Sequence, residues 1–282
     1  MKLKKMLALT MAAVLAAGLT ACGSSAATSA APAAESTADA AGAPDGDGDP
    51  TTLTVAMECA YAPYNWAQSD DSNGAVAIRG SSDYAYGYDV MMAKKIGEAL
   101  GQQVQIVKLD WDSLIPAVMS GDVDCVIAGQ SITAERAAQV DFSNPYYYAS
   151  IVTLTKKDSA YANAASVADL AGATATSQLG TIWYDTCLPQ IENANILPAQ
   201  ETAPAMLMAL ETGTVDFICT DMPTAMGAVA AYPDMTILDF SDSDDNFVAD
   251  EGDINIGVSV MKGNTELKDA IDSVLSTMTA DD

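Results

Sequence analysis

The 282-residue chain carries 12 Lys+Arg against 38 Asp+Glu, a formal charge of −26, and it has no histidine. Phosphate contacts need clustered basic side chains, so nucleic-acid binding by a basic face is excluded, as is any triad or metal site that depends on imidazole. Half of the residues are hydrophobic, which supports a sizeable core in one large domain or two ordinary ones.

Lys2, Lys4 and Lys5 precede an apolar run, Met6–Ala21, too short for a comfortable membrane span. Residues 1–21 therefore read as a signal peptide. The end of the run, Leu19-Thr20-Ala21-Cys22-Gly23, resembles the bacterial lipobox, which implies acylation of Cys22 and a lipid-anchored, extracytoplasmic protein on the outer face of the cell membrane. The alternative is an ordinary signal peptide with a chance cysteine at its end. Residues 22–50 are rich in Ala, Ser, Gly, Pro and Asp, without an aromatic or large aliphatic side chain. Such a stretch buries too little to offset its ordering entropy and reads as a disordered tether with a reach on the order of 30 Å. Removing residues 1–21 strips three lysines and no acids, leaving 9 bases against 38 acids, or −29. Arg79 and Arg136 are the only arginines.

From Thr51 the pattern turns regular. Leu53–Met57 predicts a strand, Val90–Leu100 a helix closed by Gly101, Val104–Leu109 a strand and Asp112–Ser120 a helix. Val123–Gly129 predicts a third strand and Thr133–Val140 a short helix. This alternation predicts an α/β fold, each lobe a mostly parallel sheet flanked by helices. Ile151–Lys156 and Ile254–Met261 read as two crossing strands, placing 51–150 plus 256–282 in lobe 1 and 151–255 in lobe 2. Thr265–Met278 predicts a final amphipathic helix. One internal echo supports two lobes: Ala117 through Gly129 matches Ala209 through Asp221, each a helix end, a glycine stop, a turn and a buried strand. The echo puts Gly129 and Asp221 at equivalent strand ends, the edge where open α/β sheets bind ligands.

Thr133 is a plausible N-cap, which sets Arg136 in the first turn of a helix, where a cation opposes the dipole. That position suggests an anion ligand, since a guanidinium holds a carboxylate through two parallel hydrogen bonds; a surface ion pair is the other reading. Ser177-Gln178-Leu179-Gly180-Thr181-Ile182-Trp183 places backbone N–H groups at a strand-to-helix turn, and Asp221 offers an acceptor for a cation. Donors for a carboxylate together with a carboxylate for an ammonium describe the head of an amino acid.

Four segments then match one family in order and spacing: Glu58-Cys59-Ala60-Tyr61-Ala62-Pro63-Tyr64; Tyr86-Gly87-Tyr88-Asp89-Val90; Trp111 through Asp124; and Ala128 through Tyr146. The chain resembles the extracytoplasmic solute-binding proteins of ABC importers for polar amino acids, family 3, over most of residues 53–279. The resemblance implies a two-lobed periplasmic-binding-protein-like (type II) fold joined by two crossing strands. It also implies a monomer that captures an amino acid between the lobes and hands it to the transmembrane subunits of an ABC permease. Carried over by position, Arg136 clamps the α-carboxylate with backbone N–H groups around Ser131, Thr181 and Ile182. The Gly129 carbonyl, the Ser131 hydroxyl and Asp221 hold the α-ammonium. Tyr61, Tyr64 and Trp111 wall the ligand side chain, with Tyr64 alternatively a packing residue. Glu58 takes the position of a ligand-facing acid, Gln178 touches the far end of the ligand, and Asp89 is structural.

No cofactor, metal site or nucleotide loop is expected. The same fold also hosts enzymes, for which Glu58 is the obvious candidate acid or base, and sensory or receptor-presenting lipoproteins. Residues 67–85 form a longer insertion than the family usually has, one that could edge the cleft, and the sequence leaves its role open. Cys59, Cys125, Cys187 and Cys219 allow three disulfide pairings, but the apolar strand segments around them favour buried thiols.

Overall fold

The computed structural model describes residues 49–279, so the signal segment, Cys22 and the tether as far as residue 48 lie outside the described residues. Thr52–Met57 is almost continuously buried, as befits a central strand covered on both faces. It pairs in parallel with Gln103–Lys108, Leu53 opposite Val104, and with Cys125–Val126, Val55 opposite Cys125. Ser259–Met261 and then Val140–Phe142 extend this first sheet by antiparallel pairing. The second sheet pairs Thr174–Thr176 in parallel with Asn195–Ile196 and Phe217–Asp221. Ile151–Lys156 joins it antiparallel to both Phe217–Asp221 and Met235–Leu238.

Both sheets are therefore mixed yet mostly parallel in direction, as the element pattern predicts: in each, four strands run one way and one, Ser259–Met261 or Ile151–Lys156, runs against them. The reason is the route of the chain. Strands separated by a helix keep their direction, whereas Ile151–Lys156 and Ser259–Met261 arrive from the crossing and run the other way. The crossing itself is a short ribbon, Tyr147–Tyr148 antiparallel to Asn255–Ile256. Ile151–Lys156 is thus a strand of the second sheet rather than a crossing, and the stretch 254–261 divides between the ribbon and the first sheet. Of the expected strand 123–129, only Cys125–Val126 stays in the ladder. Residues 127–130 remain buried beyond it, and the Ile127 N–H still donates to the Ala56 carbonyl at 3.2 Å.

The insertion, whose role the sequence leaves open, packs on the first sheet. Asn65–Gln68, Tyr84–Tyr86 and Val76–Ala77 form a small antiparallel sheet with Ala60–Tyr61. Ile78 bridges to Ile106 and the Arg79 N–H donates to the Ile106 carbonyl at 2.8 Å, so the insertion covers the outer edge strand of the first sheet. The Arg79 guanidinium stays on that edge, donating to Gln105.

Helix Tyr88–Leu100 is seated by the loop that carries the candidate tyrosines. The Tyr88 and Asp89 N–H groups donate to the carbonyls of Pro63 and Tyr64 at 3.1 and 2.8 Å. A Cβ on Gly87, at φ 129°, would lie 2.3 Å from the Tyr64 carbonyl oxygen, so the motif Tyr86-Gly87-Tyr88 needs its glycine. Asp89 is buried and accepts from Asn65 and from the Tyr146 hydroxyl, both at 2.7 Å. Burial pushes its pKa up to about 6 against those bonds. It is structural, as expected. All four described cysteines are buried free thiols.

Candidate ligand cleft

The strand ends of the two sheets, together with the Glu58–Tyr64 loop, bring seven of the expected residues to one small space. Tyr61, Trp111, Gly129, Ser131, Arg136, Gln178 and Thr181 line it with Trp183, and its volume is about 10 Å³. Trp183 joins the lining without having been a candidate from sequence alone. Its place on the turn after Thr181 was the available signal.

Thr133 is the N-cap of Ala134–Gln139, its hydroxyl accepting from the Arg136 N–H at 3.3 Å. The Arg136 side chain then turns into the cleft. Nη1 donates to the Ser131 carbonyl at 2.9 Å, and Nη2 reaches across to the Gly180 carbonyl at 2.8 Å. The guanidinium lies 5.3 Å from the centre of the Trp111 ring, within cation–π range. Trp111 thus faces the arginine, besides walling the cavity. Burial draws the Arg136 pKa down to about 10, opposed by Glu135, Asp185 and Asp253, so it is cationic at neutral pH. Among the described residues no ion pair of Arg136 is found, and both of its partners are neutral carbonyls.

Asp221 caps the helix Met222–Ala231 from the second sheet. Its carboxylate accepts from the Thr224 N–H at 2.9 Å, the Thr224 hydroxyl at 3.1 Å and the Tyr61 hydroxyl, with the Tyr64 hydroxyl at 3.4 Å. Burial raises its pKa while these bonds oppose the shift. Asp221 therefore does not line the small cavity; Tyr61 stands in the way. Tyr64 lies deeper still, 1% exposed and stacked on Tyr61 at 4.9 Å, so it supports the wall rather than forming it. Gly129 has φ +63°, and a Cβ there would come within 2.8 Å of the Tyr61 ring. Only a glycine lets Tyr61 close over this strand end. The Gly129 N–H is fixed by donation to the Tyr146 hydroxyl at 3.1 Å.

Glu58 is 4% exposed. Its Oε2 accepts from Gln178 Nε2 at 3.1 Å, another bond across the cleft, while Oε1 is buried with no partner. Burial pushes its pKa up to about 7; the Gln178 bond opposes this and Asp110 adds to it. Ile182 turns to a larger neighbouring cavity of about 630 Å³, which it shares with Arg136 and Asp185. None of residues 67–85 lines any of these spaces.

The model of the bacterial extracellular solute-binding proteins, family 3, matches residues 53–282. The chain belongs to this family. Among its relatives in the family is a probable histidine-binding protein of Campylobacter jejuni, 30% identical over 187 residues, which are 66% of each chain. An arginine-binding extracellular protein of Bacillus subtilis is 34% identical over 130 residues, 46% of this chain and 45% of that one. These two alignments thus span about two thirds and under half of the relatives' own lengths. Among solved structures, the arginine-bound form of truncated ArgBP from T. maritima superposes with a TM-score of 0.66 at 29% identity, covering 81% of this chain and 97% of that one. The L-arginine-bound AbpA of Streptococcus pneumoniae gives 0.67 at 27% identity, covering 80% and 88%. The family-3 chain thus has the two-lobed type II periplasmic-binding architecture.

Proposed function

We propose that this protein captures an amino acid with a cationic side chain between its lobes and delivers it unchanged to an ABC permease. The observation that carries the reading is a charge pattern. One guanidinium bound only to neutral carbonyls lines the small cavity, two buried carboxylates stand behind its wall, Asp221 bonded to Tyr61 and Glu58 to Gln178, and one carboxylate oxygen, Glu58 Oε1, has no partner. A carboxylate presented to Arg136 would replace two carbonyl contacts by charge-assisted ones, with backbone N–H groups at Ser131, Thr181 and Ile182 completing the grip. The α-ammonium goes to the Gly129 carbonyl, the Ser131 hydroxyl and Asp221, which requires the Tyr61 hydroxyl to give up its bond. Glu58 takes the cationic end of the side chain, with Gln178 beside it. Relatives named for arginine and histidine point the same way.

The contacts Arg136–Gly180, Tyr61–Asp221 and Glu58–Gln178 all join one sheet's side to the other's. A ligand that satisfies both sides favours the closed form, and this differential binding couples capture to recognition by the permease. The protein acts as a monomer, anchored through an acylated Cys22 on the outer face of the cell membrane, with residues 22–50 as its tether.

A thermal-shift panel of the twenty amino acids tests the reading. A ligand at 100 times its Kd adds about 2.7 kcal/mol of stability. Arginine and lysine are expected to give the largest shifts and to be recovered chemically intact. A flat panel would overturn the assignment, and a turned-over ligand would point to an enzyme.

A further inference from the structure

Beyond Trp111 and the Glu58–Gln178 bond lies a second cavity of about 450 Å³, between the Glu58–Ser113 side of the first lobe and Leu179, Glu201 and Thr202 of the second. Trp111 is common to its lining and to that of the small cavity, while Gln178 lines one and Glu58 the other. The Trp111 ring and the Glu58–Gln178 hydrogen bond thus stand between the two cavities. The annex has the size of a ligand pocket in its own right. Its ionisable lining is Glu58, Asp110, Asp112 and Glu201 against Lys108 alone. Acids on an exposed rim are ordinary, and by themselves they indicate nothing. The unpartnered Oε1 of Glu58 is different: it belongs to a residue 4% exposed that lines this space, and an orphaned buried acceptor is costly to leave unmade.

We propose that this annex is a second subsite, which accepts a cationic group at the far end of an elongated ligand, so that the cleft takes amino-acid conjugates longer than a free amino acid. The proposal rests on the amino-acid reading given above and extends it. The head stays on Arg136. The chain passes Trp111, a donor on it meets the unpartnered Glu58 Oε1 beside the Oε2 that Gln178 holds, and the terminal cation reaches the field of Asp110 and Glu201. Lys108 in the same lining disfavours a second cation placed nearer to it, and sets a preference for one terminal positive charge.

Titration calorimetry of the full chain with two matched probes decides it, with L-arginine titrated alongside. N6-(β-alanyl)-L-lysine and N6-butanoyl-L-lysine have the same length and head group and differ in a terminal ammonium against a methyl. The ammonium probe is expected to bind at least tenfold more tightly, with the ratio falling as salt is raised, because exposed acids are screened. In the Asp110→Asn, Glu201→Gln double variant the ratio should collapse towards one, with the thermal midpoint of the free protein confirming the fold. Equal affinity of the two probes, a ratio that survives the double substitution, or exclusion of both probes by a protein that binds L-arginine would overturn the annex alone. Failure of L-arginine and both probes together would overturn the amino-acid reading with it.

Discussion

The two echoed segments end in the same way and do opposite things. In the first lobe, the segment that runs on from Cys125–Val126 through Gly129 leads to a helix capped by Thr133, and the first turn of that helix sends Arg136 into the cleft. In the second, the strand Phe217–Asp221 leads directly to a helix whose cap is the charged residue itself. Arg136 is half-buried and held by two neutral carbonyls, ready to exchange them for an anion. Asp221 is fully buried with every strong acceptor direction taken. The same supersecondary unit thus yields a presented cation on one side and a locked anion on the other. Position at a strand end does not make a charge available; the number of partners already bound does.

Paired substitutions break that contrast most sharply. Arg136→Ala is expected to weaken binding of the preferred amino acid at least a hundredfold, about 3 kcal/mol, while costing the fold about 1 kcal/mol or less. Asp221→Ala should cost the free protein more in stability than Arg136→Ala does. It removes a helix cap, about 1 kcal/mol, and strands the Thr224 N–H and the Tyr61 hydroxyl in a buried place, for a total of about 3 kcal/mol. Calorimetry for the first and urea unfolding for the second give the two numbers. An Arg136→Ala protein with unchanged Kd, or an Asp221→Ala protein as stable as its parent, would erase the distinction.

The sides also differ in when their charges exist. Arg136, at about 10, is cationic throughout the physiological range, whereas Glu58, at about 7, is not fully ionised within it. Binding of arginine should therefore tighten as pH rises from 5.5 towards 7, by roughly tenfold per unit, and level off above. Glu58→Gln should flatten the profile, and a flat profile in the parent would remove Glu58 from the side-chain contact. Stability moves in the opposite sense. The folded pKa of Glu58 is raised above its unfolded value of 4.5 and that of Asp89 above 3.8, so the contribution of each is present below the unfolded value and lost as pH rises through the folded one. For Glu58 this amounts to about 3 kcal/mol, lost between roughly pH 4.5 and 7. The free protein should melt at lower temperature at pH 8 than at pH 5.

Much of this site was legible because it is local in sequence. Thr133 as cap, Arg136 in its first turn and Gly180-Thr181 at a turn follow from short-range chemistry, and the structure places them so. The misreadings are all long-range. Hydrophobic periodicity does not encode strand direction, so it could not tell that Ile151–Lys156 and Ser259–Met261 run against the other four strands of their sheets. The saturation of Asp221 depends on Tyr61, which lies 160 residues away in the chain. Tyr64 and Tyr61 are chemically alike and only three apart, yet the fold buries one behind the other, and no pattern in the segment distinguishes them. The insertion has the composition of a loop, which leaves its role open; in the fold it forms a sheet that covers an exposed strand.

The smallest effect tests whether the first-lobe cap matters to the cation it carries. Thr133 Oγ1 holds the Arg136 N–H in a helix of 6 residues, too short to be stable by propensity alone. Thr133→Ala should cost about 1 kcal/mol, a fall of roughly 2–4 °C in Tm for a body of this size. The guanidinium keeps its carbonyl partners, so affinity should drop only by about threefold to fivefold, at or below the lost cap energy converted through RT. Thr133→Ser retains the acceptor and should restore both. Asp221→Asn is the matched change opposite, since Asn caps as well as Asp but carries no charge. If Thr133→Ala leaves affinity untouched while Asp221→Asn lowers it, the cation is positioned by its carbonyl partners rather than by its helix, and the anion contributes charge to the ligand as well as a cap to the fold.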